Sequence, residues 1–591
     1  RHKESRRIKE AANEKLKQPS ITASIKTAAE LQNHKDELNR SLVEACLKAN
    51  IPLHKLSSPA FRKWLVENVK GGGDIVSSYW MREKYLPEIK AAYDADIKTM
   101  LKEKDIIVMC DESTNRKGEA VFITCFKILP TITNSSPLLV IASVDVLTAC
   151  NGDTTSKSII KALNKFDVLY ENVVGVSSDS AAYMNKCVKL LKELTNPNLI
   201  HIQCWDHKLD KVSKVFSKRL PRINECVKNC KKLFKNTRKR RHNYKKFLKD
   251  KYKFSQAKSA TLFPLPVMSR WGSWKNSVVY LSEYVDDVTE YAKTLGDEVE
   301  SVQYFNSLSQ LDIQILTAEA TFVKDYCGPV DNVILFLEGS KYPTAHRLYP
   351  QVNELMKHFE VVQNATDVKA VVPTDTKKAL EGIASNSKAD YVMKRFKIAA
   401  DKCHKILKNY LENDPAKIFF KACEALFSPT KMLALKSMEV SEATKIITKH
   451  LKKLPFLNIP ESNFVVLYLV LLDNVCDALK KTIKKDKDYC VVHDMILSMR
   501  ATHPSFAEVC LKSIFFTTSN TDVERASSGY NDIVCPRRCR LLEGNAEIMV
   551  CLYLCDDLEI DSDSGTTRHG ESTTAAENEN DNPDDPDPVL I

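Results

Sequence analysis

The chain has 591 residues, 43% of them hydrophobic, with 18 cysteines and a net charge of +11. That length allows several domains or one core with a large insertion, and the composition can fill it. Arg1 to Arg7 lacks the apolar centre of a secretory signal, and the longest apolar run, Phe464 to Leu472, is shorter than the roughly 20 residues of a bilayer span, so neither is expected in these residues.

Residues 1–35 read as a basic arm or linker without an apolar face. Because the first residue is Arg1 and not Met, a fragment is expected, with a module missing ahead of it. Residues 36–104 read as a helical region, with Leu42, Val43, Leu47, Phe61, Trp64, Leu65 and Val69 at helical spacing and a break at Gly71-Gly72-Gly73. The pattern changes at Asp105. Ile106 to Cys110 is a short continuous apolar run, as in a strand buried on both faces, and Asp111 closes it. A turn at Lys117-Gly118 leads to a second strand, Ala120 to Leu129, and Pro137 introduces a third, Leu138 to Val146. Asp153-Thr154-Thr155 is placed to cap a helix bearing Ile159, Ile160, Leu163 and Phe166. Val173 to Val176 is a fourth strand, after which Asp179 follows Ser178. A helix with Met184, Cys187, Val188, Leu191 and Leu194 comes next, then a fifth strand from Leu199 to Cys204.

Three strands joined by turns read as an antiparallel meander, and two more reached through helices read as parallel neighbours. This is a ribonuclease-H-like α/β layout, with residues 105–284 as the first part of the core and an all-α insertion over 285–500. Residues 501–555 complete the core and end in a helix at Asn545 to Leu554. Residues 556–591 hold twelve acids against one arginine and read as a disordered tail, leaving the body at +22. A basic body points to a polyanion, with nucleic acid ahead of a membrane surface.

Asp111 and Asp179 stand at the ends of strands expected to be neighbours, and Glu524 at the start of a late helix. Phosphodiester cleavage uses a pair of divalent cations about 3.5–4 Å apart, and magnesium or manganese takes oxygen ligands of this kind. Taken singly, each Asp also serves as an ordinary turn or cap residue.

Together the motifs resemble the hAT superfamily of DNA transposases. They are Cys110-Asp111-Glu112-Ser113-Thr114, Ser178 to Met184, Cys204-Trp205-Asp206-His207, Arg270-Trp271, Ser519 to Arg525, and Pro536 to Leu541. The resemblance covers Asn39 to Cys555 with motif order preserved, and the N-terminal arm and spacing are similar to members related to the CGG-triplet-repeat-binding protein. It implies that Asp111, Asp179 and Glu524 bind the cations, that residues 285–500 are the family's insertion domain, and that residues 501–555 carry a dimerisation segment. The implied activity is cut-and-paste transposition on double-stranded DNA by a homodimer or higher homo-oligomer in the nucleus. The alternative is a non-catalytic DNA-binding or dimerising regulator that kept the fold. Two departures favour it: Ser527 stands where the family has Phe, and the family's amino-terminal BED zinc finger is absent.

Lys208 to Lys253 contains nineteen Lys or Arg against three acids, including Arg238, Lys239, Arg240, Arg241, Lys245 and Lys246, with Tyr244, Phe247 and Tyr252 interleaved. This reads as a DNA-tracking surface, against a merely solvated helix face, and Arg238 to Arg241 also fits a nuclear-import signal. Trp271 is placed to stack on an unpaired base or to sit in a core, and Arg270 to meet a phosphate or an acid. Cys204 and His207 have ligand spacing, but a structural zinc needs four ligands and no second pair is evident. They are expected beside the acids in a structural role, with no zinc. Cys226/Cys230, Cys535/Cys539 and Cys551/Cys555 read as buried thiols on helix faces. No glycine-rich phosphate loop is present, which excludes a P-loop ATPase.

Overall fold

The structure is a computed structural model. It describes residues 21–115, 117–235, 237–253, 258–267, 272–296, 299–339, 342–482, 488–534 and 543–554. The first 20 residues of the basic arm, Arg270-Trp271, Pro536 to Leu541, Cys535, Cys539, Cys555 and the acidic tail lie outside that range.

The helical region opens with α1 (Ile21–Lys48), α2 (Pro59–Asn68) and α3 (Leu86–Leu101). Ser58 caps α2 by accepting the Phe61 N–H, and Pro59 takes the first helical position, where no intrahelical donor is lost. The sheet follows: β1 (Ile106–Thr114), β2 (Ala120–Ile128), β3 (Leu138–Leu147), β4 (Val173–Ser178) and β5 (Ile200–Gln203). Its order is β3-β2-β1-β4-β5. β1 pairs antiparallel with β2 and β2 with β3, whereas β4 runs parallel to β1 and β5 parallel to β4. The β1–β2 turn closes on Gly118 at φ +80°, a left-handed conformation that glycine adopts without a Cβ clash.

The meander and the two parallel strands are as expected from sequence, but β1 is longer. It does not stop at Cys110: pairing to β2 continues to Thr114↔Ala120. Beyond Cys110 the run is polar and alternates in exposure, so that hydrophobicity no longer marks it.

Two helices supply the crossovers, α4 (Gly152–Lys165) and α5 (Ala182–Leu194). Asn151, not the Asp153-Thr154-Thr155 group, caps α4: its side chain accepts the Asp153 and Thr154 N–H groups while Thr154 Oγ1 accepts the Asn151 N–H. Ile159, Leu163, Met184, Val188 and Leu191 cover one face of the sheet, against Val108, Phe122, Phe126, Val140 and Val176. The strand period of two sends Ile107, Met109, Val121, Ile123 and Ile202 to the other face.

After β5 the chain is helical, with no strand among the described residues. It passes through α6 (Trp205–Arg219), α7 (Pro221–Phe234), α8 (Arg238–Lys251), α9 (Ser273–Lys293), α10 (Gln310–Leu337), α11 (Asn386–Glu412) and α12 (Glu461–Thr482). α6 packs on α10 and α11. Among the described residues α12 alone is long and apolar enough to cross a membrane, over Glu461–Leu479, yet Phe464, Tyr468, Leu471, Val475 and Leu479 bury one side of it in the core. The final helices are α13 (Pro504–Ile514), α14 (Thr521–Ile533) and α15 (Glu543–Leu554). α14 lies on β1 and β2, and α15 on β3, so the end of the chain covers the second face.

Candidate functional site

The parallel β1/β4 register places Met109 beside Ser177. Asp111 lies two residues beyond Met109, inside β1 and paired with Ile123 and not at a strand end, whereas Asp179 lies one residue past the end of β4. Asp111 shares the face of Met109 that α14 covers. Asp179 also turns the chain: its Oδ1 accepts the Ala181 N–H at 3.1 Å, ahead of α5. This is the ordinary turn role that the sequence also allows for Asp179.

Glu524 stands one turn into α14, whose N-terminus is tied to two distant elements. Asn520 Nδ2 donates to the Cys110 carbonyl at 2.8 Å, and the Asn520 N–H donates to Cys204 Sγ at 3.2 Å. Thr521 Oγ1 donates to Asp206 Oδ2 at 2.8 Å, and the Trp205 N–H donates to the Thr518 carbonyl at 3.1 Å. Asn520 sits in the Ser519 to Arg525 block with Glu524, but nothing in the sequence sets it apart from its neighbours there.

The acids act on one another electrostatically. Burial, then the Asp179 carboxylate, pushes Asp111 up to about 7. Burial, then Asp111, Asp206 and Glu338, pushes Glu524 up to about 8. Burial pushes Asp206 up to about 7 as well, with Thr521 opposing it. Burial pulls His207 below its usual range, and Asp179 opposes that shift. Glu524 Oε1 is buried and accepts no hydrogen bond among the described residues. Among the described residues, the ligand atoms of Asp111, Asp179 and Glu524 are not gathered within 4.8 Å of one another.

A tighter group overlaps these acids. Ligand atoms of Cys204, His207 and Glu524 all lie within 4.8 Å of one another, and His207 Nδ1 is 3.6 Å from Glu524 Oε1. The sequence expectation that Cys204 and His207 sit by the acids therefore extends to a direct approach to Glu524. Asp111 and Asp179 are not members of this group.

The remaining motif residues divide. Trp205 is fully buried and donates from Nε1 to Asp414 Oδ2 at 2.9 Å. Lys208, counted in the basic run, is also buried, with Nζ 3.6 Å from Asp414 and 4.4 Å from the Trp205 ring centre. On α8, Arg238, Lys239, Lys245 and Lys246 are exposed, and Arg240 and Arg241 are half-buried. The interleaved aromatics do not share that surface. Tyr244 is buried with its hydroxyl 2.8 Å from Tyr280, Phe247 packs on the core, and Tyr252 donates to Asp287. Their spacing belongs to the inner face of the helix. Ser527 lies on the packed face of α14, and its buried hydroxyl finds no partner among the described residues.

Residues 29–88 match the CGGBP1 helical domain family. Proteins called CGG triplet repeat-binding protein 1 from mouse and from human are each 40% identical to this chain over 79 residues, 13% of this chain and 47% of theirs. The chain thus spans about half the length of the curated relatives it matches. The similarity to that protein, read from the arm and spacing, is present, and it falls mainly on the helices α1, α2 and the start of α3.

Proposed function

We propose that this chain is a hAT-type DNA transposase or a protein derived from one, acting on double-stranded DNA through a ribonuclease-H-like core. The observation that carries the reading is the sheet order β3-β2-β1-β4-β5, with Asp111 on its central strand, Asp179 just beyond the parallel neighbour, and Glu524 on the helix covering β1. The six-part division of the chain belongs to this reading, with residues 285–500 as an insertion and 501–555 as core completion and dimerisation region. So do a nuclear location and a homodimer or higher homo-oligomer.

Asp111, Asp179 and Glu524 would hold magnesium or manganese. Such cations, when bound, polarise a phosphodiester and activate its attacker. The chain's own part is positional. Asn520 fixes the start of α14 against β1 and α6, which sets where the Glu524 carboxylate stands. Asp179 is aimed by its bond to Ala181. The basic face of α8 would track the DNA backbone.

The test is strand cleavage on DNA bearing the element's own ends, with magnesium or manganese. Asp179→Asn keeps the acceptor for Ala181 and removes the charge, and cleavage should fall by about 100-fold or more. Equal activity in the variant would end the catalytic reading. No cleavage by either protein would favour the second reading, a non-catalytic DNA-binding regulator. That reading has its own support in the match of residues 29–88 to the CGGBP1 helical domain, in the similarity to relatives named for binding a CGG triplet repeat, and in Ser527.

A further inference from the structure

Cys204 is the N-cap of α6 and its side chain is fully buried. Burial holds its thiol well above the usual range, and two backbone N–H groups oppose that shift, those of His207 and Asn520, the latter donating to the sulfur at 3.2 Å. Donors on a buried sulfur are the surroundings that orient a metal-bound thiolate. His207 stands one helical turn on, and Glu524 reaches the same point from α14. The 3.6 Å between His207 Nδ1 and Glu524 Oε1 is too long for a hydrogen bond. It is close to the roughly 3.4 Å edge of a tetrahedral zinc whose nitrogen and oxygen ligands lie at about 2.0–2.2 Å.

We propose that Cys204 Sγ, His207 Nδ1 and the Glu524 carboxylate form a three-ligand site for zinc or a cation of the same borderline class, with the fourth position open. The donor set selects the metal. Thiolate and imidazole suit zinc, whereas magnesium favours oxygen ligands throughout. A search for a second Cys/His pair misses the site because its third ligand lies on a helix whose start is 316 residues from Cys204. The site stands without the transposase reading. Its consequence rests on that reading: zinc held here would claim Glu524 from Asp111 and Asp179, and so inhibit magnesium-dependent cleavage.

Cobalt(II) titration of the full chain reads the site directly, through the near-ultraviolet thiolate-to-cobalt band and its displacement by zinc. One equivalent should raise the band, and Cys204→Ser should abolish it. Glu524→Gln, which keeps side-chain size, and His207→Ala should each weaken cobalt binding at least 10-fold. Cys226→Ser should leave it within 2-fold. Absence of the band, its survival in Cys204→Ser, or unchanged affinity in Glu524→Gln would each overturn the proposal. Circular dichroism checks every variant, and the Gln variant carries the test if Cys204→Ser misfolds. Cobalt binding is measured without DNA, so a failure to cleave bears on the transposase reading alone.

Discussion

Glu319 shows how one buried carboxylate sets a pH dependence. It lies on α10, only 2% exposed, and accepts the Ile223 N–H at 3.0 Å, so it serves the N-terminus of α7 from a neighbouring helix. That bond, Arg222 and Arg395 favour the charged form, but burial outweighs them and lifts the group from 4.5 to about 7. A carboxyl raised on folding contributes stability that is complete below its unfolded pKa and disappears as pH climbs through the folded one. The window is therefore about pH 4.5 to 7, and the loss across it is about 3 kcal/mol. Glu319→Gln retains an acceptor for Ile223 and never ionises. Relative to wild type it should gain about 2–3 kcal/mol between pH 5 and pH 8 in urea unfolding. The same difference at both pH values would show that the wild-type carboxyl is not held protonated.

At the scale of elements, β4 depends on a missing side chain. A Cβ on Gly175 would lie 3.0 Å from Ile202 Cδ1 and from Phe516 Cζ, closer than the roughly 3.5–4.0 Å of an ordinary carbon contact. Phe516 belongs to the segment between α13 and α14, so Gly175 lets the end of the chain seat against the sheet. Gly175→Ala should cost about 1–3 kcal/mol in urea unfolding, and adding Phe516→Leu should return part of it. An alanine variant as stable as wild type would mean that the ring moves aside freely. The strands themselves were legible from sequence, because short apolar runs between turn residues leave few other assignments. What was not legible has specific causes. β1 outlasts its hydrophobic run because β2 continues to pair with it. The cap of α4 falls on Asn151 because its side chain, not a neighbour's, meets both free N–H groups. Tyr244 and Leu248 share an inner helix face, a period of four that a basic run obscures. Of the site, the acids were readable as motif members, whereas the approach of Glu524 to Cys204 and His207 is purely tertiary.

Across the whole molecule, the two ends of the described chain meet. α15 packs between β3 and α1, and Glu547 stands 3.3 Å from Lys165 and 3.7 Å from Lys90. α1, which carries the start of the region matching the CGGBP1 helical domain family, is thus packed against α15, which itself lies on β3. The surplus positive charge has a different address. α8 buries Tyr244 and Leu248 and turns Lys239, Lys245 and Lys246 outward. If those lysines meet phosphates, each releases counterion, and the slope of log K against log salt carries about 0.9 per contact. Replacing all three with alanine should flatten that slope by about 3 on duplex DNA of any sequence. Stability should move by no more than about 0.5 kcal/mol per site, since these side chains are exposed. Fluorescence anisotropy at a series of salt concentrations measures it, and an unchanged slope would place the DNA on another face of the protein.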